Sequence, residues 1–112
     1  MAFYESIVIT RPELTSNQVE SLSKSLEEIL ENNSAKVKKH EYWGLRSLAY
    51  KINKNKKGHY SMLNIDGETS AIKEFERQMK LNQDIIRFLT IKINNINEEP
   101  SILSLNKENV DD

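Results

Sequence analysis

Apolar positions along the chain alternate between two periods. From Ala2 to Thr10 the pattern is that of a strand: Ile7, Val8 and Ile9 run without a break, and Phe3 and Tyr4 add aromatic β-formers. Arg11-Pro12 ends it, because proline has no N–H to give a ladder. The period then lengthens. From about Ser16 to Asn32, Val19, Leu22, Leu26, Ile29 and Leu30 recur at helical spacing and form one stripe. Thr15 is a suitable N-cap, and Gln18 three residues on completes a capping-box pattern. The cluster Asn32-Asn33-Ser34 stops the helix. A second strand is expected from Ala35 to about Leu45, with Val37, Lys39, Glu41 and Trp43 on one side and Lys38, His40 and Tyr42 on the other. Gly44 should bend or bulge it, with pairing resuming through Leu48-Ala49-Tyr50-Lys51-Ile52.

Asn53 to Gly58 reads as a polar, lysine-rich turn, and Gly58 to Asp66 as a third strand, with Leu63 and Ile65 on one face and Tyr60 and Met62 on the other. Asp66-Gly67 is a turn. Thr69 or Ser70 should cap a second helix running to about Leu81, with Ile72, Phe75 and Met79 buried. Ile85 to Ile96 is a fourth strand, the most apolar of the set. From Asn97 the chain turns polar, with scattered Ile102, Leu103 and Leu105. The order β-α-β-β-α-β predicts an α+β, ferredoxin-like domain over residues 1–96: a four-stranded antiparallel sheet with two helices on one face. Residues 97–112 are expected to form a flexible polar tail. One sheet face stays free of helices and offers a docking surface.

A chain of 112 residues, 38% hydrophobic, is one domain. It has no cysteine, hence no disulfide framework and no thiolate metal site, which fits a reducing cytosol. The N-terminal residues show no basic and apolar signal pattern, and no apolar run approaches the ~20 residues that span a bilayer, so no membrane role is expected. The net charge of −1 is uninformative, but its distribution is not. Lys36, Lys38, Lys39, Arg46, Lys51, Lys54, Lys56 and Lys57 fall in one stretch, opposed there only by Glu41. The acids gather elsewhere: Glu13, Glu20, Glu27, Glu28 and Glu31 around the first helix, and Glu98, Glu99, Glu108, Asp111 and Asp112 in the tail. One part of the surface should therefore be strongly positive.

Catalytic chemistry finds little support. His40 and His59 are the only histidines and supply too few ligands for a metal; their plain reading is a surface or rim position on the basic hairpin. No zinc-protease, nucleophile-elbow or phosphate-loop motif is present. Glu27-Glu28 and Glu98-Glu99 are solvated charges. An acylphosphatase on this fold would need an arginine and an asparagine at an anion-binding loop; Arg11 follows the first strand, but beside Pro12 and without a glycine-rich cradle. No enzyme, cofactor or small-molecule substrate is expected. The basic hairpin is the stronger signal. Its cations are interleaved with Tyr42, Trp43, Tyr50 and Tyr60, and phosphates take the cations while unstacked bases take the rings. Trp43 suits either a core cap or an interface anchor.

The stretch Trp43-Gly44-Leu45-Arg46-Ser47-Leu48-Ala49-Tyr50-Lys51-Ile52-Asn53-Lys54 resembles the signature of the bacterial small-subunit ribosomal protein S6 family: a glycine, a basic residue two on, then Leu-Ala-Tyr, any residue and Ile. Tyr4-Glu5, Gly58-His59-Tyr60 and Ile86-Arg87 agree, so the resemblance spans about residues 1 to 96. Leu45 and Ser47 depart from it, where relatives often carry a basic and a larger polar residue. The resemblance implies a ribosomal location in the cytoplasm. It also implies binding of small-subunit ribosomal RNA in the central domain, or platform, jointly with a second small protein, S-eighteen. By the same resemblance Arg46 and Arg87 reach phosphates, Lys51, Lys54 and Lys56 add hairpin charge, and Trp43, Leu48 and Tyr50 order the hairpin or meet the partner. The alternative is a standalone single-strand RNA reader, since Lys57 to Ile65 weakly resembles the RNP1 strand of RNA-recognition motifs, though with one aromatic where stacking needs two or three.

Overall fold

The computed structural model describes residues 2–52 and 55–96. The elements are β1 (Ala2–Thr10), α1 (Ser16–Asn32), β2 (Lys36–Ile52), β3 (Asn55–Gly67), α2 (Thr69–Leu81) and β4 (Ile85–Ile93). The sheet order is β2-β3-β1-β4, with every neighbouring pair antiparallel. This is the expected ferredoxin-like arrangement. The tail from Asn97 onward lies outside the described residues.

The two helices share one sheet face because their stripes meet the same strand positions. Leu26 and Leu30 of α1 and Ala71, Ile72, Phe75 and Met79 of α2 form one buried cluster with Tyr4, Val8, Leu63 and Ile65. In α1 the buried line is Val19, Ser23, Leu26 and Leu30, with Leu22 and Ile29 half-buried at its margins. The capping box forms as read. The Gln18 N–H donates to Thr15 Oγ1 at 3.2 Å, and the Thr15 N–H donates to Gln18 Oε1 at 2.8 Å. At the other end Ser34 takes a left-handed φ of 64°, and the Ala35 N–H returns to the Leu30 carbonyl at 2.9 Å, closing the helix.

The second helix starts differently from its sequence pattern. Neither Thr69 nor Ser70 is its cap; Glu68 holds that position without a side-chain cap bond. The Thr69 hydroxyl is instead paired with the Tyr4 hydroxyl at 3.0 Å, which ties the helix start to β1.

β2 continues past Gly44 to Ile52, as the sequence pattern predicts, but β3 already begins at Asn55, so residues 55–57 are strand, not turn. Asp66 and Gly67 likewise extend β3, pairing with Phe3 and Ala2. Three register shifts accommodate the long pairing, two of them single-residue bulges and the third between Ser47 and Ile52. Val37 faces Ile65 and Lys39 faces Asn64, leaving Lys38 as the extra residue; Tyr42 faces Ser61 and Gly44 faces Tyr60, leaving Trp43. Gly44 has a φ of 93°, which glycine adopts without steric cost. The first bulge corrects the simple alternation: Val37 points to the helices, whereas Lys39, Glu41 and Trp43 share the open face with Met62 and Asn64. β4 is shorter than expected, ending at Ile93, and although apolar it is an edge strand with no fully buried residue.

Leu26 is buried in the core, so Leu26→Ala is expected to lower unfolding free energy by about 2–5 kcal/mol, measured by chemical denaturation. On the surface of α2, hydrogen bonds from Arg77 and Gln78 lower the Glu74 carboxyl from 4.5 to about 2. A carboxyl depressed in this way adds stability above its unfolded value and loses it as pH falls towards 2. Urea unfolding between pH 4.5 and 2 should therefore show a shallower acid loss for Glu74→Gln than for the parent chain.

Candidate nucleic-acid and protein interface

β1 last pairs with β3 at Thr10 and His59; outward of that rung, β2 and β3 pair only with each other, through Arg46–Gly58, Ser47–Lys57 and Ile52–Asn55. The basic stretch is therefore a two-stranded arm reaching past the rest of the sheet. Arg46, Lys56 and Lys57 stand on it. Of the other residues expected to act there, Lys54 lies outside the described residues, and Lys51 and Tyr50 are described by their place in β2 alone. Leu48 is half-buried in the same strand.

The root of the arm is fixed on both sides. On the helix side His59 is buried, a correction to its expected surface or rim position. Its Nε2–H donates to the Leu14 carbonyl at 2.8 Å, and its Nδ1 accepts from the Tyr42 hydroxyl at 2.7 Å. Burial holds the Tyr42 hydroxyl above its usual pKa, so it keeps the proton it donates; a hydrogen bond with Ser16 opposes this shift. Neither ring nitrogen is left for chemistry. His40, by contrast, is exposed beside α1.

On the open side a polar chain runs along β2. Glu41 is buried, which is costly for a carboxylate unless it is paired. Its Oε2 stands 3.5 Å from Lys39 Nζ, and its Oε1 accepts from Trp43 Nε1–H at 2.7 Å. The bulged Trp43 carbonyl then accepts from Arg46 Nε–H at 3.0 Å. Trp43 is only 6% exposed, so within this chain it acts as a core cap. Only one sequence signal marks Glu41: it is the single acid in the basic stretch.

Register brings the second arginine to the same place. Gly44, Tyr60, Ile9 and Arg87 form one rung across all four strands. Burial raises the Tyr60 hydroxyl pKa, and the nearby charges of Arg46 and Arg87 pull it back. Arg46 and Arg87, 41 positions apart in sequence, thus both act electrostatically on one half-buried tyrosine at the arm's root. Close strand contact is needed here: a Cβ on Gly58 would come within 2.5 Å of Ile9 Cγ2 and 3.1 Å of the Thr10 carbonyl. Arg11, the residue an acylphosphatase reading would use, is instead bound to Asp84 at 2.7 Å. No group of three or more histidine, cysteine or acidic side chains that could hold a metal occurs among the described residues.

The fold and this surface define a ferredoxin-like domain that displays a charged β-arm, with Arg46 and Arg87 both acting on Tyr60 at its root. The sequence matches the Ribosomal protein S6 family over residues 3–92. It is 47% identical over 108 residues to "Small ribosomal subunit protein bS6" of Hyphomonas neptunium, covering 96% of each chain. It is 48% identical over 101 residues to the protein of the same name from a Caulobacter species, covering 90% of this chain and 80% of that one. The crystal structure of 30S ribosomal protein S6 from Thermotoga maritima superimposes with a TM-score of 0.78 at 28% identity, covering 82% of this chain and 87% of that one. The chain belongs to the ribosomal protein S6 family, whose members are structural proteins of the ribosome and not enzymes.

Glu41→Ala would remove the acceptor of the buried Trp43 Nε1–H and the carboxylate 3.5 Å from Lys39 Nζ. The expected loss is about 1–3 kcal/mol in chemical denaturation, with a smaller loss for Glu41→Gln, which keeps an oxygen in place.

Proposed function

We propose that this chain is a structural protein of the cytoplasmic small ribosomal subunit that binds small-subunit ribosomal RNA in the central domain, together with ribosomal protein S-eighteen. The observation that carries the reading is the convergence of Arg46 and Arg87 on Tyr60 beside a lysine-bearing arm. Two guanidinium groups presented on one sheet face suit phosphates held in one geometry, as at a folded junction. Residues 1–96 form the binding domain in this reading. The arm adds Lys56, and Lys51 and Lys54 of the same stretch of sequence add charge, as longer-range attraction for polyanion. Leu48 and Tyr50 meet the protein partner, while Trp43, already buried, orders the strand that presents them. The work is positional: backbone charge is neutralised and a junction is held for later assembly.

The relatives named above are small-subunit proteins, which supports the location. The reading as a standalone single-strand binder is less well supported. Stacking needs exposed rings, yet on the open face Trp43 is buried and Phe3 and Tyr60 are only half-exposed.

A mobility-shift assay with a platform-junction RNA, with and without S-eighteen, tests the proposal. Binding should be weak alone and strong with the partner, and should fall as salt rises. Tight binding of short oligonucleotides by the chain alone would favour the rival. Arg46→Ala and Arg87→Ala should each weaken the ternary complex about tenfold or more, as loss of a charge-assisted contact does. Loss of the Arg46 bond to the Trp43 carbonyl should cost the fold about 1 kcal/mol in Arg46→Ala. Unchanged binding of both variants at moderate salt would remove the arginine rung from the interface.

A further inference from the structure

The aromatic side chains of the hairpin differ in what their polar atoms do. The Tyr42 hydroxyl is bound to His59 Nδ1 at 2.7 Å, and the Trp43 Nε1–H to Glu41 at 2.7 Å. Tyr4, on the helix side, pairs its hydroxyl with Thr69. Tyr60 is the exception. It is half-buried on the face that no helix covers, and among the described residues its hydroxyl has no hydrogen-bond partner. Register sets what surrounds it. Ile9 and Arg87 follow Tyr60 along its rung, and Gly44 completes the rung on the other side. Arg46 is two residues beyond Gly44, opposite Gly58, and so lies diagonally from Tyr60 on the same face. Diagonal neighbours of this kind are about 7–8 Å apart, within reach of two long side chains. Gly44 and Gly58 place no side chain between them. The Arg46 Nε–H is held by the Trp43 carbonyl at 3.0 Å, which fixes the root of that guanidinium. On the other side, Ile9 is only 8% exposed although no helix packs on it, so the side chains beside it close over it. Tyr60 and Arg87 are its neighbours on the rung.

We propose that the Tyr60 hydroxyl is itself an RNA-binding group, donating a hydrogen bond to a backbone phosphate that Arg46 or Arg87 neutralises. The inference rests on the reading of this face as an RNA surface and adds to it a residue that carries no charge. A hydroxyl that donates to an ionised oxygen makes the shorter and stronger kind of hydrogen bond. Burial raises the hydroxyl pKa more than the two arginine charges lower it, so the group keeps its proton at neutral pH and can donate. Two side-chain torsions fix a tyrosine, so little freedom is lost when the contact forms. Such a contact carries no base information and sets register on the backbone, which suits a positional role. In the sequence Tyr60 is one of several rings among cations, and stacking is the use that pattern suggests. The structure separates it from the others by the one atom they have already committed.

Tyr60→Phe isolates the hydroxyl, because the ring and its packing remain. In the mobility-shift assay with platform-junction RNA and S-eighteen, this variant should bind about tenfold more weakly than the parent chain. The fold should be unaffected, since the hydroxyl has no internal partner to lose. Salt dependence separates the tyrosine from the arginines. Arg46→Ala and Arg87→Ala each remove a cation and should reduce the slope of log affinity against log salt by about one. Tyr60→Phe should leave that slope at the parent value. Binding of Tyr60→Phe within about twofold of the parent, while both arginine variants are weakened, would overturn the inference and leave the RNA reading standing. A slope reduced by about one in Tyr60→Phe would also overturn it, because the hydroxyl would then act by holding an arginine in place. Parent-level binding by all three variants would remove both the inference and the RNA reading of this face.

Discussion

Only one face of the sheet is buried by helices, and most of the molecule's other features answer that asymmetry. On the covered side, apolar stripes from α1 and α2 meet Tyr4, Val8, Leu63 and Ile65, and the stabilisation is ordinary burial of hydrocarbon. On the uncovered side no second layer of helices is available. Side chains there must be satisfied within a single layer or by something that docks. The β2–β3 half takes the first solution, with a buried carboxylate held between an ammonium group and an indole N–H. The β1–β4 half leaves hydrocarbon in water. The proposed binding surface lies where these solutions meet, at the rung through Tyr60.

The arm depends on the same asymmetry. A two-stranded ribbon that leaves its sheet is marginal by itself. This one is braced at its last shared rung from both sides: by His59 between Tyr42 and the Leu14 carbonyl, and by Arg46 on the Trp43 carbonyl. A residue that looks like candidate chemistry in the sequence is thus a structural tie. Its burial is what allows the lysines beyond it to stand out from the body of the protein.

Much of the fold is legible in the sequence because it rests on local regularities. The capping box at Thr15 and Gln18, the stripe through Val19, Leu26 and Leu30, and the stop at Asn33 and Ser34 need only near neighbours to act. The failures fall where a distant residue decides. Thr69 reads as a cap, but Tyr4 takes its hydroxyl. Lys38 breaks the alternation of β2 because β3 supplies one residue opposite two, and nothing within β2 announces that. The site is similarly divided. Charge along the hairpin is visible as composition, and the ribosomal resemblance rests on the run from Trp43 to Lys54. The joint effect of Arg46 and Arg87 on Tyr60 arises only through the register of four strands.

The bulge at Lys38 bears on how this strand can vary in length. Lys38 is the extra residue of the first β2 bulge, and the rungs on either side of it, Val37–Ile65 and Lys39–Asn64, already join consecutive residues of β3. Deleting that one lysine would leave a regular ladder, with every later side chain on its present face. Removing Val37 or Lys39 would instead pull a neighbour into the vacated rung and disturb the core or the Glu41 pair. A homologue one residue shorter in β2 should therefore carry its gap at Lys38.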